Sequence, residues 1–191
     1  MTAITLQFQE VAQLTDDQFF ALCQINRDIQ IERTASGELI LMPPTSGETS
    51  HRNADLVTDL NIWNRRAKLG IVFDSNGGFN LPSGAMRAPD AAWVSRARWD
   101  SLTLEEKTKF PPICPEFVVE LRSSSDRLSP LQEKMQEYID NGVQLGWLLN
   151  RKDRQVEIYR PNQEKEVLQN PSVLSGEDVL PGLKLSLKGI L

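Results

Sequence analysis

Residues 117–149 constrain the fold more tightly than any other segment of the chain. Two short apolar runs, Phe117-Val118-Val119-Glu120-Leu121 and Leu145-Gly146-Trp147-Leu148-Leu149, flank a stretch of helical length. Pro130 suits the first turn of that helix, which runs through Asp140, and Asn141-Gly142 ends it. A strand–helix–strand unit built from apolar strands needs cover on both faces, which implies a mixed sheet flanked by helices.

The flanking segments add to this α/β (α+β) architecture. Residues 14–25 read as a helix capped by Thr15 or Asp16, with Phe19, Phe20, Leu22 and Cys23 available for burial. A β-hairpin follows, in which 29–33 and 38–42 flank the turn 34–37, and Pro43-Pro44 stops its second strand. Residues 47–67 carry Ala54, Leu56, Val57, Leu60, Ile62 and Trp63 at helical spacing, and Gly70 is expected to end that helix. Strands are expected at 71–75, 79–82 and 91–94, a charged helical excursion at 96–109, a strand at 156–160, and short strands in the tail. There is no repeat, low-complexity tract or linker. The expectation is a single domain over 1–191 with its core at about 25–187.

Composition excludes several chemistries. Of 191 residues, 40% are hydrophobic and 25% charged, the range of a globular chain. No apolar window approaches a membrane span and the N-terminal residues do not resemble a signal peptide, so a cytoplasmic protein is expected. Two distant cysteines, Cys23 and Cys114, and one histidine, His51, cannot build a zinc site. Any metal would be held by oxygen, which points to Mg²⁺, Mn²⁺ or Ca²⁺. Neither a phosphate-binding glycine loop nor a serine relay is present. The net charge of −5 argues against a broad non-specific nucleic-acid binder, though not against a local basic cleft.

The remaining candidates are carboxylates and a few cations. Glu120 lies inside an apolar run, where a charge is costly unless paired or bound to a cation. The alternative is simple alternation, with Glu120 facing water between Val119 and Leu121. Asp90 follows Pro89 at the start of a strand, and reads either as a turn residue or as a second acid. If the two strands are adjacent, both acids can share one divalent ion. Lys134 lies on the following helix beside Glu133 and Glu137, either solvated or aimed at a phosphate or water. Tyr138 shares its face and, with Arg122 and His51, is a candidate phosphate contact. Arg122 follows Glu120 by two residues, and can supply positive charge or pair with Glu120. Glu48 opens the helix at 47–67, as a favourable N-terminal acid or as a further carboxylate near the metal. His51 is a surface residue, a phosphate contact or a base.

Taken in order, RAPDAAWVSRARW (87–99), CPEFVVELRSSSDRLSPLQEKMQEYIDNGVQLGWLLN (114–150) and VEIYRP (156–161) resemble the Uma-type restriction endonuclease family, abundant in cyanobacteria. The segment GELILMPPTSGETS (37–50) fits the same pattern. The resemblance covers about residues 25–187 and places the chain in the PD-(D/E)XK nuclease superfamily. It implies a restriction-endonuclease-like mixed sheet and a Mg²⁺- or Mn²⁺-dependent endonuclease acting on DNA. Asp90 and Glu120 are then the metal-binding pair, the backbone carbonyl of Leu121 a further ligand, and Glu48 the acid of the first core helix. The superfamily's lysine normally follows the strand acid by two residues, where this chain has Arg122; in this family it comes from the helix, which matches Lys134. The alternative is a catalytically silent protein that keeps the fold for DNA binding or assembly, whereas a small-molecule hydrolase lacks a nucleophile.

A nuclease that cuts both strands is expected to act as a homodimer, by analogy. Sedimentation at micromolar concentration should give a dimer; monomer alone would contradict the expectation.

Overall fold

The computed structural model describes residues 3–7, 9 and 11–191. The expectation about a signal peptide falls partly on Met1, Thr2, Phe8 and Glu10, which lie outside the described residues. The chain opens with β1 (Ile4–Leu6), α1 (Asp16–Ile25), β2 (Gln30–Arg33), β3 (Leu39–Met42) and α2 (Gly47–Ala67). Next come β4 (Gly70–Asp74), β5 (Phe79–Asn80), β6 (Met86–Arg87), β7 (Ala91–Ser95), α3 (Arg96–Ser101) and α4 (Leu104–Thr108). The second half holds β8 (Phe117–Leu121), α5 (Leu128–Asp140), β9 (Leu145–Asn150), β10 (Gln155–Tyr159), β11 (Glu166–Gln169), β12 (Val173–Ser175) and β13 (Lys184–Ser186). This is the mixed α+β architecture that the strand–helix–strand unit implied.

The strands form three sheets, in the orders β1-β3-β2-β6-β5, β11-β10-β9-β8-β7-β4 and β12-β13. In the six-stranded sheet only β8 and β9 are parallel. A parallel neighbour requires a crossover, and α5 provides it. Residue parity decides what each face of this sheet meets. Ala91, Trp93, Phe117, Val119, Leu121, Trp147 and Leu149 pack with Leu56 and Leu60 of α2 and with the C-terminal leucines. Ala92, Val94, Val118 and Leu148 pack with Met135 and Tyr138 of α5. Both faces are therefore covered and all five residues of β8 are buried. Alternation cannot expose Glu120 in such a strand, and its solvent-facing reading is overturned: it is 5% exposed, on the α5 side with Val118.

Helix α1 is capped by Thr15, whose side chain accepts from Gln18 N while the Gln18 side chain accepts from Thr15 N. Its Phe19 packs against Ile31, Leu39 and Met86 of the five-stranded sheet. The excursion at 96–109 splits into α3 and α4 because Thr103 starts a capping box with Glu106. Strand β6 leads straight into β7, so residues 88–90 join the two large sheets.

Gly70 does not end α2. The helix closes at Lys68, which takes the left-handed conformation at φ 58°, and Gly70 is the first residue of β4. The reason for glycine is contact: a Cβ there would lie 2.2 Å from Val94 O and 2.4 Å from the Trp93 ring. Gly70→Ala should therefore destabilise the fold by about 1–3 kcal/mol, the usual cost of overpacking. Urea unfolding measures it, and an unchanged midpoint would mean that β4 shifts freely.

Candidate active site

The site grows from the pairing of β7 with β8. Ala91 is opposite Val119, so the register carried one residue further sets Asp90 opposite Glu120. Asp90 is half-buried at the joint between the sheets. Its Oδ1 accepts from Asn53 Nδ2 at 2.7 Å and its Oδ2 from the backbone N–H of Leu121 at 2.7 Å. The first bond ties it to α2, the second to the end of β8. Beside it opens a cleft of ≈ 360 Å³ whose walls include Thr45, Ser50 and Asp74.

Glu120 is held differently. Its Oε1 lies 2.8 Å from Lys134 Nζ and accepts from the Tyr138 hydroxyl at 3.0 Å. Among the described residues no protein donor reaches its Oε2. Lys134 and Tyr138 stand one turn apart on the inner face of α5, so one helix supplies both partners. The ammonium also lies 2.9 Å from Glu32 Oε1. Glu32, 2% exposed on β2, accepts from the N–H of Ala88 at 3.0 Å and from Arg87 Nη1 at 3.0 Å. Arg87 in turn donates from Nε to Glu137 on α5. Alternating charges thus run from Glu120 through Lys134, Glu32 and Arg87 to Glu137, each answered by a neighbour of opposite sign.

Burial pushes the Glu120 carboxyl up to about 7, against the pull of Lys134 and with the negative charges of Asp90 and Glu32 adding to it. Burial also raises the Asp90 pKa, against the Leu121 N–H, Lys134 and Asn53. For Glu32 burial acts in the same sense, but Lys134, Arg87 and the Ala88 N–H outweigh it and hold the carboxyl below its ordinary value. Burial opposes the Lys134 charge, yet Glu120 and Glu32 hold its pKa above that of an ordinary lysine. The ammonium acts on both acids.

Of the other expected residues, Tyr138 and Leu121 touch the acid pair, whereas Glu48, Arg122 and His51 have partners of their own. Glu48 has its side chain 60% exposed and meets Arg52 at 3.0 Å and Arg151 at 3.2 Å; its pKa is lowered by Arg151 and then Arg52. Arg122 does not pair with Glu120; it donates to Asn150 at 2.9 Å and Asp153 at 3.1 Å. His51 is exposed, 3.6 Å from Asp55. Tyr138 has no exposed surface, so its hydroxyl serves Glu120 and no phosphate reaches it. Leu121 lies at the level of the acid pair, its N–H given to Asp90.

Residues 16–188 match the family model of Uma2, described as "Putative restriction endonuclease". The chain belongs to the Uma2 family. A search of curated proteins finds no match. Among solved structures, a crystal structure described as "a putative nuclease belonging to DUF820 from Anabaena variabilis ATCC 29413" is similar over 93% of this chain and 97% of that one. Its TM-score is 0.75 at 22% identity, a likeness of fold. Within this Uma2 chain, Glu32 and Asn53 are the site residues that sequence reasoning missed. Asn53 was findable, because it shares the stripe of Leu56 and Leu60 on α2 and is polar where that stripe is apolar. Glu32 carried no such signal: a charged residue in a hairpin strand ordinarily faces water.

A divalent cation would find oxygen donors here. Among the described residues no group of three or more His, Cys, Asp and Glu could hold a metal, so the acid pair needs other oxygens. Asn53 Oδ1, on the amide that binds Asp90, is buried without a hydrogen-bond partner. Asn53 Oδ1, the two acids and the Leu121 carbonyl are all oxygen donors, the donor chemistry that suits a hard cation.

Folding raises the Glu120 pKa from 4.5 to about 7, so the folded protein binds more protons than the unfolded chain between those values. Its contribution to stability therefore falls as pH rises through that window. In metal-free protein, urea unfolding should show this decline, and Glu120→Gln should flatten it. An identical pH profile for the variant would mean that Glu120 titrates normally.

Proposed function

We propose that this Uma2 protein is a divalent-metal-dependent endonuclease that hydrolyses DNA phosphodiesters. The observation that carries the reading is the convergence of Asp90, Glu120 and Lys134 at one end of the central sheet, with Lys134 Nζ 2.8 Å from Glu120. Restriction-endonuclease-like proteins generally use divalent metals. Asp90, Glu120 and the carbonyl of Leu121 would hold Mg²⁺ or Mn²⁺, with Asn53 Oδ1 within the same donor set. When bound, such an ion acidifies water and neutralises charge on a phosphate.

The chain's own residues set the stage for that chemistry. Asn53 and the Leu121 N–H fix both oxygens of Asp90, so the carboxylate is oriented before any ligand arrives. Lys134 favours the ionised form of Glu120 and brings a positive charge to a site where charge builds on the phosphoryl oxygens. Glu32 tethers that ammonium. DNA as partner and a homodimer as the acting form belong to the same reading. A second reading, a catalytically silent protein that keeps the fold for DNA binding or assembly, is favoured by Arg122, which stands where the superfamily's lysine does and is bound instead to Asp153.

Supercoiled plasmid incubated with purified protein and Mg²⁺ or Mn²⁺ should be nicked or linearised, and EDTA should stop the reaction. Asp90→Asn, Glu120→Gln and Lys134→Met should each slow it by roughly a hundredfold or more. Plasmid left intact with either ion, together with no Mn²⁺ binding by calorimetry, would favour the silent reading.

A further inference from the structure

The acid that opens α2 has an unexpected setting. One oxygen of Glu48, Oε1, lies 3.0 Å from Arg52 Nη2 and 3.2 Å from Arg151 Nη1. Arg52 also donates from Nη1 to the Glu48 carbonyl at 3.0 Å. The Arg52 side chain is 15% exposed, whereas the Glu48 side chain is 60% exposed. The Nε of each arginine is buried without a partner. Arginine meets a carboxylate or phosphate best through two parallel N–H donors. Here one carboxylate oxygen is shared between two guanidiniums, and neither uses its Nε.

This cluster stands near the acid pair. Ser50 and Asn53, which bracket Arg52 in sequence, line the cleft beside Asp90. Strand β9 runs parallel to β8 with Leu149 level with Leu121, so Arg151 stands two residues beyond the site's level. Lys152 and Arg154 follow it and are exposed, with Asp153 between them bound to Arg122. In a chain of net charge −5, this is a local concentration of cations.

We propose that Arg52 and Arg151 form a binding site for a backbone phosphate of duplex DNA, and that in the free protein the Glu48 carboxylate occupies the phosphate's place. The identity of the anion rests on the nuclease reading. Glu48 is then a competitor for the site and not a metal ligand, which reverses the sign of its substitution. A metal ligand lost weakens binding; a competing carboxylate lost strengthens it. An exposed carboxylate between two arginines is displaced at modest cost, because exposed ion pairs are weak and screened. A phosphate diester spreads its single negative charge over two non-bridging oxygens, enough for each guanidinium to take one.

Fluorescence anisotropy with a labelled duplex in EDTA tests this apart from cleavage. Glu48→Gln should bind about three- to tenfold more tightly than the native chain at low salt. Arg52→Ala and Arg151→Ala should bind more weakly, each lowering the slope of log affinity against log salt by roughly 1. Equal or weaker binding by Glu48→Gln overturns the proposal, as does a salt slope that the arginine variants leave unchanged. A gain seen with inorganic phosphate but not with duplex overturns the assignment to a DNA backbone. If Glu48 merely staples α2 to the end of β9, Glu48→Gln lowers the melting temperature and gains no affinity, which also overturns it. The plasmid assay fails separately: an active nuclease whose Glu48→Gln form binds no tighter sinks only the phosphate site, while an inactive protein that gains affinity sinks only the nuclease reading.

Discussion

The Lys134 ammonium, set between the carboxylates of Glu32 and Glu120, is the interaction on which the rest of the arrangement depends. It connects the five-stranded sheet, the six-stranded sheet and α5 through one charged group. A lysine with so little exposure is tolerated because two acids face it, and each buried acid is tolerated because of the lysine. Glu32 passes the constraint on: the same carboxylate holds Arg87 and the N–H of Ala88, the first residue of the joint that carries Asp90. Both the strand acid and the acid at the joint are thus located by one chain of charges.

Topology explains why these groups meet. The antiparallel pairing of β7 and β8 brings residue 90 level with residue 120, and the parallel pairing of β8 and β9 requires the crossover that returns α5 over the sheet. The crossover places a helical lysine above a strand acid only fourteen residues earlier in the chain. The position two residues after Glu120 lies past the end of β8, where Arg122 turns to Asn150 and Asp153. The cation is supplied by the element that covers the strand.

Much of this was legible in the sequence, and the gaps have physical causes. Apolar runs and punctuation located β8, α5 and β9, and the ordered series of acids and lysine located Asp90, Glu120 and Lys134. The depth of Glu120 was open, since a single strand does not reveal whether one face or both are covered. Gly70 was misread because glycine after a helix usually signals its end, whereas here close contact with Val94 and Trp93 selects it. Glu32 was invisible because its partner Lys134 is remote in sequence and sits on α5. Glu48 was legible as an acid at a helix start, but its contact with Arg151 was not, because Arg151 is remote in sequence, just past the end of β9.

The remoteness of Glu32 has a consequence for how the molecule comes into being. Residues 32 and 134 are 102 positions apart, and their carboxylate and ammonium meet only when the hairpin sheet has docked on the completed strand–helix–strand unit. During synthesis, an N-terminal fragment holds Glu32 and Arg87 but no lysine between the acids. The cluster therefore cannot form before residue 134 is made, and a chain cut short of it holds the acids of the site without their cation.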